Sequence, residues 1–265
     1  MKITIAGAAG RMGQMLIRQI AGTPGCSLAG AIEGAGSNAL GRDAGEVAGV
    51  GGKGIDITAD AASAIAAGEA VIDFTVPAAT VTHARIAADK GVALVIGTTG
   101  LNPEQTAEVH GCARKVPILW AANMSMGINI LLALVEKTAS MLDPAYDIEV
   151  LEMHHRHKID APSGTALALG RAAAAGRQIK LEDVWRKSRD GHTGARPSGE
   201  IGFAALRGGE EVGVHTVMFA AAGERLELSH RAFSRETYAS GAVRGALWLA
   251  GKKPGLYGMK DVLGL

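Results

Sequence analysis

Glu152-Met153-His154-His155-Arg156-His157-Lys158-Ile159-Asp160-Ala161-Pro162-Ser163-Gly164-Thr165 is the stretch of this chain densest in groups that move protons or hold anions. Consecutive basic residues, His154 to Lys158, follow an apolar run that reads as a strand, and Ser163 is placed to cap a helix that starts beside them. Imidazole titrates near neutral pH, and an ammonium serves as a proton donor when its surroundings favour it, so His154 and Lys158 are the candidates for proton transfer. Cations next to the first amides of a helix, here those of Gly164 and Thr165, suit a small polyanion. If the extended form persists, the strand period puts His154, Arg156 and Lys158 on one face and His155 and His157 on the other. Three rival readings compete with this one. A solvated basic turn is the default for a charge run, but histidine at three of four positions beside a capped helix argues for more. A metal centre would have only Glu152 and Asp160 in support, without cysteines or carboxylates at ligand spacing, and no metal is expected. A nucleic-acid patch would need a wider spread of Lys and Arg, or aromatics for stacking, and the flanks have neither.

A second constellation opens the chain. Gly7-Ala8-Ala9-Gly10-Arg11-Met12-Gly13 stands between an apolar strand pattern and a helical one. Glycine at such a turn lets the backbone approach a pyrophosphate, and the following helix presents amides and a positive dipole end. Glu33 closes the next strand pattern 20 residues after Gly13, where a carboxylate can hold the ribose hydroxyls of a dinucleotide. Among 37 glycines such a loop means little alone; its context gives it weight over an ordinary tight turn. Arg11 reads equally well as an exposed helix-start cation or as a partner for a 2'-phosphate. Gly97-Thr98-Thr99-Gly100 and Ala121-Ala122-Asn123-Met124 follow two later strand patterns, where an open parallel sheet binds ligands, although either is also an acceptable plain turn.

The elements that must position these groups fall into two sets. Strand patterns at Lys2 to Ala6, Leu28 to Ile32, Ala70 to Phe74, Val92 to Ile96 and Pro117 to Ala121 alternate with helical ones at Arg11 to Ala21, Ala78 to Lys90 and Pro103 to Arg114, the last with Asn102 as N-cap. This alternation predicts an α/β, Rossmann-like, doubly wound parallel sheet. Gly34 to Gly54 reads as an irregular connection. After Asn123 the pattern changes to a helix over Gly127 to Met141, a strand over Asp147 to Met153 and a helix over Thr165 to Ala175. Three strand patterns then follow, Glu200 to Leu206, Glu211 to Ala221 and Glu224 to Ser229, and suggest an antiparallel meander. They predict a second α+β domain with an open mixed sheet. A last helix, about Arg235 to Ala250, is alanine-rich like the first part and is expected to pack back on it.

Bulk properties narrow the class. With 48% hydrophobic and 20% charged residues in 265, a sizeable core can form. Cys26 and Cys112 make no disulfide framework, which fits a reducing compartment. The N-terminal residues lack a signal-peptide pattern, and the apolar run Ile128 to Val135 is too short to span a bilayer, so a soluble cytoplasmic protein is expected. A formal charge of +1 gives no global field for nucleic acid or membrane.

GAAGRMG, DFTVP at Asp73 to Pro77, GTTG, AANMSMGIN, EMHHRHKIDAPSGTAL and GLYGMKDVL occur in this order, and with them nearly the whole chain resembles the 4-hydroxy-tetrahydrodipicolinate (dihydrodipicolinate) reductase family. The resemblance implies an oxidoreductase of lysine and diaminopimelate biosynthesis that uses NADH or NADPH. It implies cofactor contacts from Gly7, Ala8, Ala9, Gly10, Arg11, Met12, Glu33, Gly97, Thr98, Thr99, Ala121, Ala122, Asn123 and Met124. It further implies His154 as proton donor or acceptor, Lys158 as proton donor, and His155, Gly164 and Thr165 as substrate ligands. A homotetramer is implied too, with residues 1–125 plus 236–265 binding the dinucleotide and 126–235 binding substrate and assembling the subunits. One position departs from the pattern: many members carry arginine after the acid of the second strand, and this chain has Gly34, so NADH is expected to serve at least as well as NADPH, with Arg11 the remaining phosphate partner. Two other readings stay open, an NAD(P) oxidoreductase acting on another small acid, and a non-catalytic sensor of the dinucleotide.

Overall fold

Runs of Ile, Val, Leu and Ala without polar alternation form strands covered on both faces, as parallel sheets require. The computed structural model describes residues 1–265. In chain order the first elements are β1 (Lys2–Ala6), α1 (Arg11–Gly22), β2 (Ser27–Ile32), α2 (Ala44–Ala48), β3 (Ile57–Thr58), α3 (Ala61–Ala66), β4 (Ala70–Asp73), α4 (Pro77–Lys90), β5 (Ala93–Ile96), α5 (Pro103–Ala113) and β6 (Pro117–Trp120). Next come α6 (Met126–Met141), β7 (Asp147–His154), α7 (Gly164–Gly176), α8 (Leu181–Val184), β8 (Trp185–Arg186), β9 (Ile201–Arg207), β10 (Gly213–Ala220) and β11 (Arg225–Ala232). The chain ends with α9 (Glu236–Leu249), β12 (Gly255–Tyr257) and α10 (Met259–Leu263). Two units result, Met1–Ser125 with Glu236–Leu265, and Met126–Arg235. No helix is long and apolar enough to cross a membrane.

The first unit is a seven-stranded, wholly parallel sheet in the order β12-β6-β5-β4-β1-β2-β3. From β1 the chain moves outward to β2, and it then returns to start β4 on the other side of β1. The strand order therefore reverses between β1 and β4, the place where open α/β sheets bind ligands beyond their carboxyl ends. Local chemistry explains the helix limits. α5 begins with a reciprocal capping box between Asn102 and Gln105 and has proline in its first turn; α4 also starts on proline and stops at Gly91, whose φ is +71°. α1 buries Gly13, Leu16, Ile17 and Ile20, a stripe at helical spacing. The residues expected to connect irregularly after Gly34 contain α2, whose cap Asp43 accepts the amides of Gly45 and Glu46 as well as those of Lys53 and Gly54.

The second unit is a mixed five-stranded sheet in the order β11-β10-β7-β9-β8, with α6 and α7 packed together. Its core joins Leu131 and Val135 of α6, Leu169 and Ala173 of α7, and Ile148, Val150, Phe203, Val217 and Phe219 of the sheet. Glycine permits the close approaches: a Cβ at Gly176 would collide with the Glu136 carbonyl, and one at Gly170 with the Phe203 ring. The expected meander is corrected here. β10 and β11 form an antiparallel hairpin, but β9 runs parallel to β7 on its far side and does not pair with β10. Arg207-Gly208-Gly209 thus starts a crossing to the other side of β7 instead of a hairpin turn.

Candidate active site

In the first unit the glycine loop has the form that a dinucleotide needs. Gly7 sits at φ +78°, and a Cβ on Gly13 would strike the Gly7 carbonyl and Ala8, so α1 starts hard against the loop. Gly10 is the N-cap and brings no side chain to the first amides of α1. Glu33, just past β2, accepts the Ala9 amide at 2.8 Å, which brings the acid onto the loop. A dinucleotide phosphate fits this arrangement through backbone amides and the dipole of a 12-residue helix. Arg11 is exposed, and a Cβ at Gly34 would meet only open space.

The two later loops are held by side chains. Thr98 is buried and turns inward, within hydrogen-bond distance of Thr80 Oγ1 (2.8 Å) and Asp73 Oδ1 (3.2 Å), while Thr99 is exposed. Trp120 Nε1 donates to the Thr98 carbonyl at 3.3 Å and the Ala121 amide to the Ile96 carbonyl at 3.1 Å, which ties the Gly97–Thr99 and Ala121–Met124 loops together. Asn123 Oδ1 accepts the Ser125 amide at 2.9 Å, and Met124 is buried with its carbonyl against Gly241 of α9. Ala122 is exposed and Gly97 half-buried.

In the second unit β7 ends at His154, and the chain then turns, with the Lys158 amide donating to the His155 carbonyl at 3.1 Å. The alternation expected through Lys158 therefore stops at His154; the residue that shares the inward face of β7 with His154 is Glu152, not Arg156. Glu152 is 1% exposed and accepts His154 Nδ1 at 2.6 Å, Arg207 at 2.7 and 2.8 Å, and the Ser163 amide at 3.1 Å. Burial alone would raise this carboxyl, but the hydrogen bonds from His154, Arg207 and Ser163 outweigh it and hold Glu152 at about 2. An ionised partner on Nδ1 fixes that proton in place and leaves Nε2 of His154, beside Gly213, as the nitrogen that can exchange one. His215 stands opposite Glu152 on β10, edge-on to His154 with ring centres 5.0 Å apart, and burial followed by the charge of His154 lowers it to about 4.

The other expected residues lie in the turn after β7 and at the start of α7. Ser163 caps α7 by accepting the Ala166 amide at 3.1 Å, which places Gly164 and Thr165 in its first turn with Gly164 exposed. Lys158 pairs with Asp160 at 2.8 Å, and its hydrogen bond is the largest cause of a lowered Asp160. His155 has a buried Nδ1 without a hydrogen bond and is lowered by desolvation and by Arg235. Arg156 and His157 lie at the surface. Glu152, weighed above only as a metal ligand, is thus a partner of cations. Two-residue spacing from His154 was the signal for its role; Arg207 and His215 had none, because they come from strands whose pairing is not local.

Residues 1–124 match the family model described as dihydrodipicolinate reductase, N-terminus, and residues 127–263 the one described as dihydrodipicolinate reductase, C-terminus. A protein of Methylocella silvestris named 4-hydroxy-tetrahydrodipicolinate reductase is 55% identical over 265 residues, spanning 100% of this chain and 97% of its own length. One of the same name from Agrobacterium fabrum is 53% identical over 266 residues, with the same coverage of 100% and 97%. Among solved structures, the dipicolinate-bound dihydrodipicolinate reductase of Paenisporosarcina sp. TG-14 has a similar fold, with a TM-score of 0.77, 22% identity and 98% of each chain covered. An amine dehydrogenase of Mycobacterium smegmatis shares the fold more loosely, with a TM-score of 0.59, 16% identity and 96% and 94% of the two chains covered. From both halves of its sequence, this chain belongs to the dihydrodipicolinate reductase family.

Proposed function

We propose that the chain is the NAD(P)H-dependent reductase that converts 4-hydroxy-tetrahydrodipicolinate (dihydrodipicolinate) to tetrahydrodipicolinate in lysine and diaminopimelate biosynthesis. The observation that carries this reading is the buried Glu152–His154 pair, bonded to the N-cap of α7 and followed by the turn that carries His155 and Lys158. Loss of the 4-hydroxyl as water leaves the unsaturated ring, and its reduction adds one hydride and one proton. The bound nicotinamide supplies the hydride; the chain must supply the proton and hold a doubly negative ring. His154, kept in one tautomer by Glu152, holds or passes a proton at Nε2. Lys158 is the other donor for that same proton and brings a positive charge, with Asp160 as its counter-ion until substrate arrives. The first amides of α7 at Gly164 and Thr165 and the half-buried His155 side chain take the ring carboxylates.

On the cofactor side, the amides of Gly7 to Met12 hold the pyrophosphate, Glu33 the adenosine ribose, and the Gly97–Thr99 and Ala121–Met124 loops the nicotinamide half. With Gly34 after Glu33 and Arg11 as the nearby exposed cation, NADH serves at least as well as NADPH. The protein works in the cytoplasm as a homotetramer. Support for assembly is the outer face of the second sheet, where Leu151, Met153, Ala204, Leu206, Val214 and Met218 are half-buried or exposed.

The test generates the unstable substrate in place with the preceding synthase and follows nicotinamide absorbance. His154→Ala and Lys158→Ala should each lower kcat on the order of 100-fold or more while NADH still binds. Full turnover in both variants would overturn the assigned roles. Dinucleotide binding without turnover by the wild type would favour a sensor, and turnover that survives loss of one substrate carboxylate would favour another small acid.

A further inference from the structure

Asp73, the last residue of β4, is fully buried, and its carboxylate meets a closed ring of donors. Oδ1 accepts the Thr75 amide at 2.9 Å and the Thr75 hydroxyl at 2.6 Å, with the hydroxyls of Thr80 and Thr98 at 3.1 and 3.2 Å. Oδ2 faces Nδ1 of His83 at 2.7 Å; His83 comes from the middle of α4 and is 7% exposed. The Thr75 amide also lies 3.1 Å from Thr98 Oγ1. Desolvating a carboxylate is costly, and apolar groups of similar shape often stabilise as well; what the network adds is a set of mutually satisfied partners around one carboxylate.

That geometry is placed where the strand order reverses. Residues 74–75 pack on both neighbouring loops: the Phe74 carbonyl and Thr75 Cγ2 each lie 3.2 Å from where a Gly7 Cβ would be, and a Cβ on Gly97 would collide with the Phe74 ring. One carboxylate thereby fixes the spacing of three backbone segments, those at Gly7, Thr75 and Gly97–Thr98.

We propose that Asp73 and His83 are positioning residues for the nicotinamide end of the dinucleotide site. His83 holds Oδ2 so that Oδ1 faces the threonines, and through Thr75 and Thr98 the pair sets the gap between the glycine loop and the Gly97–Thr99 loop. Neither residue touches the cofactor. This rests on the dinucleotide reading above, and the experiment separates the two.

Affinities for NADH and for ADP-ribose, which lacks the nicotinamide, are measured by calorimetry on the wild type, His83→Leu, His83→Asn and Thr80→Val, with thermal unfolding in parallel. His83→Leu should weaken NADH roughly tenfold, the cost of one buried donor, with ADP-ribose changed less than about twofold. His83→Asn, which keeps a donor toward Oδ2, should regain most of the loss. Should His83→Leu not fold, Thr80→Val is expected to show the same selective loss at smaller size. Equal loss for both ligands, or no loss in variants that fold, overturns the proposal. A wild type that binds neither ligand removes the dinucleotide reading itself.

Discussion

Glu152 shows how a single acid can decide the behaviour of its neighbours. Its burial opposes ionisation, yet His154, Arg207 and the Ser163 amide donate to it, and the balance leaves the carboxyl at about 2, against 4.5 for an ordinary glutamate. Glu152→Gln keeps the shape and removes the charge. The amide keeps a single accepting oxygen, so it favours a proton on Nδ1 of His154 less strongly, and Arg207 loses the charge it pairs with. The expected outcome is a fall in kcat on the order of 100-fold with a displaced acid limb in the pH profile, while NADH affinity holds; an unchanged profile would dismiss Glu152 as an orienting group. Gly34 offers a gain instead of a loss. Nothing lies near its missing Cβ, so Gly34→Arg should raise the NADPH to NADH ratio of kcat/KM about tenfold, the effect of one exposed charge-assisted contact. Steady-state kinetics with both nucleotides checks it.

Among the elements, α1 carries two glycines with opposite meanings. Gly13 has no room for a methyl group, because the Gly7 carbonyl and Ala8 occupy the space, so Gly13→Ala should destabilise by about 2 kcal/mol and weaken NADH binding as the loop is displaced. Gly22, at the far end of the same helix, has open space, and Gly22→Ala should stabilise by about 0.5 kcal/mol without touching affinity. Thermal unfolding and calorimetry on the pair report whether the loop rests on the helix as described. The same local logic explains what could be read in advance. β4 and β5 are buried on both faces, and their aliphatic runs announced them; Asn102 and Pro103 announced α5. Pairing between distant segments leaves no such mark. Nothing in Ile201–Arg207 says whether it will join β10 or cross to β7, and so the meander was wrong. His154 was legible as a chemical group, but the turn after it, set by backbone hydrogen bonds to Gly209 and Glu211, decided which side chains share its face.

At the scale of the whole molecule, titration of the buried groups links stability to acidity. His215 is lowered from 6.5 to about 4, mainly by burial, and His230 is lowered by burial as well. An unfolded chain takes up protons at these positions that the folded chain refuses. The contribution of these groups is therefore fully present above about pH 6.5 and is lost as pH falls toward 4, by on the order of 3 kcal/mol from His215. Glu152 adds a further loss between 4.5 and about 2, because its folded-state value is depressed. Scanning calorimetry from pH 7 to 4 should show a falling Tm, and His215→Phe should flatten that fall; an unaltered slope would mean that His215 is already protonated in the native protein.

The return of α9 and β12 to the first sheet has a consequence for synthesis on the ribosome. Gly241 and Gly245 of α9 lie against Met124 and Leu119, and β12 adds to the edge of β6, so the amino-terminal half has part of its sheet uncovered and one edge open until residues 236–257 are made. The middle segment has all of its own strands once Ala232 has emerged. The part of the nascent chain translated second is thus the first able to finish folding.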